Sequence, residues 1–354
     1  MTGAHLVSTF REQAEACARI GSPMYAQLLT RMADDIESGG PVRTLLRGHE
    51  DDRGPSALAL RLAGGLHRLV LSGDVPALAR YYPTVGGTWD LDGAWPFVRD
   101  ALAEHESALR AALLRAPQTN EIGRSAALLG GLLHIAHRAG LPVRLWEIGS
   151  SAGLNLRADH FRYTYPRGAW GSAQSPVVLD DAWAGRTPPT TAALSVVERF
   201  GSDVDPIDPT TDAGRLTVSS YVWPDQAQRW QRLGAALDVA AAVPAEVERR
   251  GAVEAVEGIQ LRDDHMTVLW HSVMWQYLSD ADHARIASRI EDLGHRASAD
   301  APFAHLFMEP TRRTPDRPHE FLVVLRTWPA GAGAPGAQEV LGVAAPHGIP
   351  TSWE

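Results

Sequence analysis

One stretch limits what this chain can fold into more than any other: Val143 to Leu156, Val-Arg-Leu-Trp-Glu-Ile-Gly-Ser-Ser-Ala-Gly-Leu-Asn-Leu. A short apolar run meets Gly149 and Gly153, and a helical pattern follows, so the stretch reads as strand, tight turn and helix start. Such a turn brings backbone N–H groups close to a ligand. Three uses fit it. Glu147, Gly149, Ser151, Gly153 and Asn155 can form the cradle of a nucleotide-type cofactor, with Glu147 at the strand end reaching a polar part of it. Gly149-Ser150-Ser151-Ala152-Gly153 is also literally G-x-S-x-G, which would make Ser151 a nucleophile on a strained elbow. Third, the glycines can serve β–α packing alone.

The chain on either side of this turn differs in texture. Residues 1–140 read as helices: Leu6, Phe10, Ala14, Cys17 and Ala18 recur at helical spacing, as do Tyr25, Leu28, Leu29 and Met32. Leu58 to Leu71, Trp95 to Leu114 and Ile122 to Ala139 continue the pattern. The expectation is an all-helical N-terminal cap region over 1–140. From 141 to 354 short apolar runs alternate with helical ones, the signature of an α/β sheet. Seven runs read as strands: Val143 to Ile148, Ser195 to Phe200, Val253 to Ile259, Thr267 to His271, Phe303 to Met308, Glu320 to Thr327 and Val340 to Ala344. Gln226 to Ala242 and Asp282 to Gly294 read as helices, and the last two strands, joined by a Gly/Pro loop, read as an antiparallel pair.

Composition narrows the partners. A formal net charge of −9 without a long Lys/Arg run argues against nucleic acid and for a small-molecule substrate. Cys17 is the one cysteine, so internal disulfides and cysteine metal clusters are excluded, and the fourteen histidines show no H-E-x-x-H grouping. No metal is expected. The start of the chain lacks the pattern of a signal peptide and no apolar run is long enough for a membrane span, so the reading is cytoplasmic. Oligomeric state is not legible.

A second signal follows the second strand, where Arg199-Phe200-Gly201-Ser202-Asp203-Val204-Asp205-Pro206 ends in acids. An acid there hydrogen-bonds the ribose of a cofactor laid across the first turn, so Asp203 or Asp205 is the candidate. A solvated Asp/Pro turn is the simpler alternative. This ordered set resembles a class I S-adenosylmethionine-dependent methyltransferase over about residues 145–345. The resemblance implies a Rossmann-like seven-stranded sheet, a glycine turn holding the methionine part, an acid holding the ribose, and the loop after strand three, at Gly258 and Ile259, beside the adenine. It also implies that the end of strand four faces methyl donor and acceptor.

The whole chain also resembles the bacterial family catalogued as domain of unknown function 2332. The residues carrying that likeness are Gly21-Ser22-Pro23, Thr119 to Arg124, Glu147 to Leu156, Trp223-Pro224-Asp225-Gln226, Trp270-His271-Ser272-Val273, Glu309-Pro310 and Pro346-His347-Gly348. It implies a fold and no reaction. Two departures from the methyltransferase pattern stand out. Ser151 holds the place of the middle glycine, and Asp203 lies 54 residues beyond Gly149 where about 20 suit a compact βαβ unit. An insertion near 161–190, rich in Tyr and Trp, accounts for the excess and is either a lip over the site or a surface excursion.

For methyl transfer to oxygen or nitrogen, a base must take a proton. His271, at the end of the fourth strand, is the first candidate, with Glu309 on the same rim and Tyr277 in reserve. Asn120, with Glu121 and Arg124, begins the helix before the first strand and can overhang the cofactor, or cap that helix. Asp225 and Gln226 read more simply as a helix start. A serine hydrolase would need Ser151, an acid and a late histidine, for which His347 serves, but the required early strands and oxyanion loop are missing. A non-catalytic S-adenosylmethionine-binding protein is the third reading.

Overall fold

A computed structural model describes residues 2–52, 57–329 and 336–354. Its chain divides into two compact units: residues 1–119 with 211–231, and residues 120–210 with 232–354. Among the described residues no helix is long and apolar enough to cross a membrane.

The first unit is helical: α1 (Thr2–Arg19), α2 (Pro23–Glu37), α3 (Pro41–Leu45), α4 (Leu58–Ser72), α5 (Pro76–Ala79), α6 (Leu91–Glu104) and α7 (Glu106–Leu113). The expected Trp95 to Leu114 helix is broken at His105, which ends α6 and starts α7. Leu6, Phe10, Ala14 and Cys17 on α1 and Leu28, Leu29 and Met32 on α2 are all buried, as their spacing predicts. Far along the chain, Asp225 closes the corner between these two helices. Its carboxylate accepts Ser22 Oγ–H at 2.7 Å and the Met24 N–H at 2.9 Å, while Gln226 Nε2 donates to the Ile20 carbonyl at 3.0 Å. Asp225 thus serves the start of α2 rather than its own helix.

The second unit begins with α8 (Ser125–Ala139) and β1 (Val143–Ile148). The insertion follows as β2 (Arg162–Tyr165), β3 (Gly168–Trp170), β4 (Val178–Leu179) and β5 (Trp183–Gly185). Then come β6 (Val196–Asp203), α9 (Asp212–Ser220, in the helical unit), α10 (Ala227–Ala242), β7 (Glu246–Arg249), α11 (Ala252–Glu257) and β8 (Met266–Ser272). The remainder is α12 (Asp280–Arg296), β9 (Phe303–Thr311), β10 (Glu320–Trp328), β11 (Glu339–Ala344) and β12 (Thr351–Trp353).

The main sheet has nine strands in the order β5-β12-β11-β10-β9-β8-β1-β6-β7, not seven. Its β7-β6-β1-β8-β9 half is parallel throughout, whereas β9, β10, β11 and β12 pair antiparallel in succession. The antiparallel β10–β11 pair expected from the sequence is present; most of the Gly/Pro loop joining it lies outside the described residues. Two corrections concern the strands themselves. Val253 to Ile259 is helix α11 and its C-terminal turn, because Val253, Val256 and Ile259 recur every third residue and all face the core. The third parallel strand is instead β7, Glu-Val-Glu-Arg, whose charges suit the exposed edge it forms.

The insertion folds as strands. β2, β3 and β4 make a small sheet of their own, and β5 joins the far edge of the main sheet beside β12. Its aromatics pack on one another: Tyr163 stacks on Trp183 at 5.4 Å and 9°, and Tyr165 lies 5.1 Å from the same ring. One face of the main sheet is covered by α11 and α12 through Val256, Ile286, Ile290 and Leu293. On the other, α8 lies so close that a side chain at Gly130 or Gly131 would run into Trp353 or Leu306.

Candidate functional site

The direction of winding reverses between β1 and β8, which are neighbours in the sheet though β6 and β7 come between them in sequence. Open α/β sheets bind ligands in the crevice outside the carboxyl ends of strands at such a reversal. The turn after β1 lies there. Gly149, Ser151 and Gly153 have φ of 66°, 53° and 64°, so every second residue is left-handed. Ser151 therefore occupies a glycine conformation with a side chain attached, a strain of about 1 kcal/mol. Across the crevice, Val273 after β8 has φ 50°, rarer still for a β-branched residue. Strain of this kind gathers at functional sites.

The turn spends its donors within the chain. Ser150 N–H goes to the Ser202 carbonyl, Ser151 N–H to Asp203 Oδ2 at 2.9 Å, Gly153 N–H to the Ser150 carbonyl and Leu154 N–H to Asn120 Oδ1 at 2.8 Å. Asp203, the last residue of β6, also accepts the Asp205 N–H through Oδ1. Asp205 itself pairs with Arg249 at 2.9 Å. A carboxylate thus sits where a phosphate-binding turn would present bare N–H groups. The glycines, too, face protein rather than ligand: a Cβ on Gly149 would lie 2.9 Å from Met274 Cβ, and one on Gly153 2.7 Å from Val247 Cγ2.

Glu147 is buried beneath this turn. Trp270 Nε1–H donates to its Oε1 at 3.2 Å, and no donor of the described chain reaches Oε2. Burial pushes its pKa up to about 8, against the pull of the Trp270 hydrogen bond and of Arg157 and Arg124. Asn155, two residues after Gly153, is also buried and accepts Ser125 Oγ–H at 2.7 Å, so its role is to tie the turn to α8.

A second cluster occupies the opposite sheet face, at the ends of β8 and β9. His271 Nδ1 lies 2.8 Å from Glu309 Oε1 and His271 Nε2 lies 3.0 Å from His305 Nε2. Both nitrogens of His271 are engaged by the chain, so the ring does not offer the free nitrogen expected of a base. Glu309 Oε1 also accepts Met274 N–H at 3.1 Å and Trp275 N–H at 3.4 Å. Trp275 and Phe307 sandwich the His271 ring at 4.8 and 5.3 Å. Burial drives the His305 pKa well below its usual value, keeping that ring neutral. Tyr277 stands 45% exposed on the short turn Trp275–Tyr277, outside this buried cluster.

Gly258 and Ile259 follow helix α11 rather than a strand. Gly258 caps the end of α11, and the next carbonyl but one, at Gln260, accepts from Arg144, the second residue of β1. Ile259 lines a cavity of about 100 Å³ together with Glu147 and Ile148 at the end of β1 and Gly201 and Ser202 of β6, so it lies next to the start of the turn, and the cavity is smaller than the roughly 300 Å³ of a ligand pocket. Among the described residues no group of three His, Cys, Asp or Glu is arranged to hold a metal. Residues that the sequence did not single out, His305, Arg157 and Met274, complete the two clusters. His305 was in principle visible, since positions 305, 307 and 309 share one face of a strand.

A family model described as an uncharacterised protein conserved in bacteria, DUF2332, matches residues 7–353. The chain belongs to the DUF2332 family. No curated protein and no solved structure matches it. Of the seven stretches quoted for the DUF2332 likeness, two meet in the helical unit, Gly21-Ser22-Pro23 and Trp223 to Gln226. The other five converge at the crevice. Asn120 caps Leu154, Arg124 Nη1 donates to the Ser272 carbonyl at 3.4 Å, Trp270 holds Glu147, His271 holds Glu309, and Gly348 packs back to back with Gly123.

Proposed function

We propose that this DUF2332 protein is an S-adenosylmethionine-dependent methyltransferase-like enzyme acting on a small organic molecule, with its cofactor at the crevice between β1 and β8. The observation that carries the reading is Asp203, the acid ending the second parallel strand, clipped to the Ser151 N–H of the left-handed turn. Each oxygen of that carboxylate accepts one N–H and keeps lone pairs for ribose hydroxyls. Glu147, kept neutral by burial and with an oxygen that no described donor reaches, adds an uncharged hydrogen-bonding group beneath the turn. Acids with the turn's donors spent inward suit a cationic nucleoside and oppose a pyrophosphate, which separates this cofactor from a dinucleotide. When bound, the cofactor supplies an electrophilic methyl group. The chain orients it, and the order β7-β6-β1-β8-β9 provides the frame.

The left-handed Ser151 also fits a nucleophile elbow, which keeps a serine hydrolase as the second reading. The Asp203 carboxylate at its amide opposes an oxyanion forming nearby. Calorimetric titration with S-adenosylmethionine, S-adenosylhomocysteine and NAD, together with a fluorophosphonate probe, separates the readings. Heat from the first two ligands without NAD binding or labelling is expected. Labelling that Ser151→Ala abolishes, with no heat from either adenosyl ligand, would establish the hydrolase. A non-catalytic binder would bind and never turn over with any acceptor.

A further inference from the structure

Glu309 and its two histidines raise a question that the cofactor turn does not answer. Glu309 Oε1 takes three donors, from His271 Nδ1, Met274 N and Trp275 N, while no described donor reaches Oε2 although the residue is only 5% exposed. A buried carboxylate oxygen without a donor is costly unless something brings one. Its position is also informative. The β8–β9 register ends at Ser272 and Met308, so Glu309 is the first residue of β9 to extend past β8, on the carboxyl rim. Met274, whose N–H it holds, packs against Gly149 of the turn.

Resting on the cofactor reading above, we propose that Glu309 is the residue that takes the proton from the methyl acceptor, at Oε2, and that His271 and His305 are positioning residues. Oε1 acts only as an acceptor, so His271 carries hydrogen on Nδ1. Burial keeps His305 neutral, and a hydrogen on its Nε2 points to His271 Nε2, giving one continuous chain that ends on Glu309. Phe307, His271, Trp275 and His283 stack in a column, with 4.7 Å between the last two rings, which fixes the imidazole plane and hence the carboxylate. In the step itself the acceptor's O–H or N–H bond breaks and the proton forms an O–H bond at Oε2. The freed lone pair makes the new bond to the methyl carbon, and the electrons of the broken sulfur–carbon bond stay on sulfur. The acceptor class follows: an alcohol or amine donates to Oε2, whereas a carboxylate or phosphate is repelled by it.

The test uses the full chain labelled with ¹⁵N-histidine and ethanolamine as probe, with propionate as its anionic counterpart. Ethanolamine should shift the His271 signals saturably at millimolar concentration, propionate should not, and Glu309→Gln should weaken ethanolamine at least about tenfold, the scale of a hydrogen bond to a charged group. Wild-type His271 should show hydrogen on Nδ1 alone; His305→Phe should mix its tautomers and weaken ethanolamine, and His305→Gln, which keeps a donor, should restore both. Should Glu309→Gln fail to fold, the His305 pair carries the test. Ethanolamine that does not bind, binds Glu309→Gln equally, or is matched by propionate overturns the proposal. S-adenosylhomocysteine should bind Glu309→Gln within about twofold of wild type; its failure to bind wild type would sink the cofactor reading, while the ethanolamine result still decides the role of Glu309.

Discussion

Glu147 shows how far one side chain's surroundings can move its chemistry. Its carboxyl group is held neutral by burial at a pKa of about 8, against 4.5 for the free group. Between those values the folded chain keeps a proton that the unfolded chain releases, so stability falls as pH rises across that window, by at most about 1.4 kcal/mol per unit. Glu147→Gln mimics the protonated acid. Thermal unfolding should show the variant equal to wild type at pH 4.5 and more stable by a few degrees at pH 9; equal midpoints at both would refute the neutral carboxyl. Asp203 and Glu147 were legible from the sequence because each ends an apolar run beside a turn. His305 could be placed on the Glu309 face of its strand, but its meeting with His271, 34 residues away, comes only from the β8–β9 register.

At the scale of elements, the stretch around the turn after β1 was read as strand, turn and helix start, and the helix is a short 3₁₀ one, Leu154–His160, yet the reason for the turn's glycines was not legible. They answer to left-handed backbone and to Met274 and Val247, both distant in sequence. Ser151→Gly removes the strain and should raise stability by up to about 1 kcal/mol in denaturant titration, with S-adenosylhomocysteine affinity unchanged. Loss of that binding would show that the Ser151 side chain itself matters. The α1–α2 corner offers a second case. Asp225→Ala leaves the Met24 N–H and the Ser22 hydroxyl without their acceptor, and should cost about 1–3 kcal/mol by the same titration. Strand β7 was missed and α11 misread for one reason: an edge strand carries charges where a strand pattern expects apolar residues, and a short helix with Val253, Val256 and Ile259 inward mimics an apolar strand.

For the whole molecule, the sequence showed a helical N-terminal region followed by an α/β sheet, while the return of residues 211–231 to the helical unit left no mark that composition could reveal. That segment supplies Tyr221 against Gly64 and Trp223 against Tyr25. Residues 1–119 alone should therefore show no cooperative thermal transition by circular dichroism, and a sharp transition would contradict the division. The order β7-β6-β1-β8-β9 places Asp203 beside the turn despite the long insertion, and the account stands or falls on what that pairing binds. The most direct measurement is the calorimetric affinity of S-adenosylhomocysteine for wild type and Asp203→Ala. The account predicts a wild-type Kd on the order of 10 µM, weakened at least about tenfold in a variant that still folds; no heat from wild type at millimolar ligand, or equal affinity in both proteins, would contradict it.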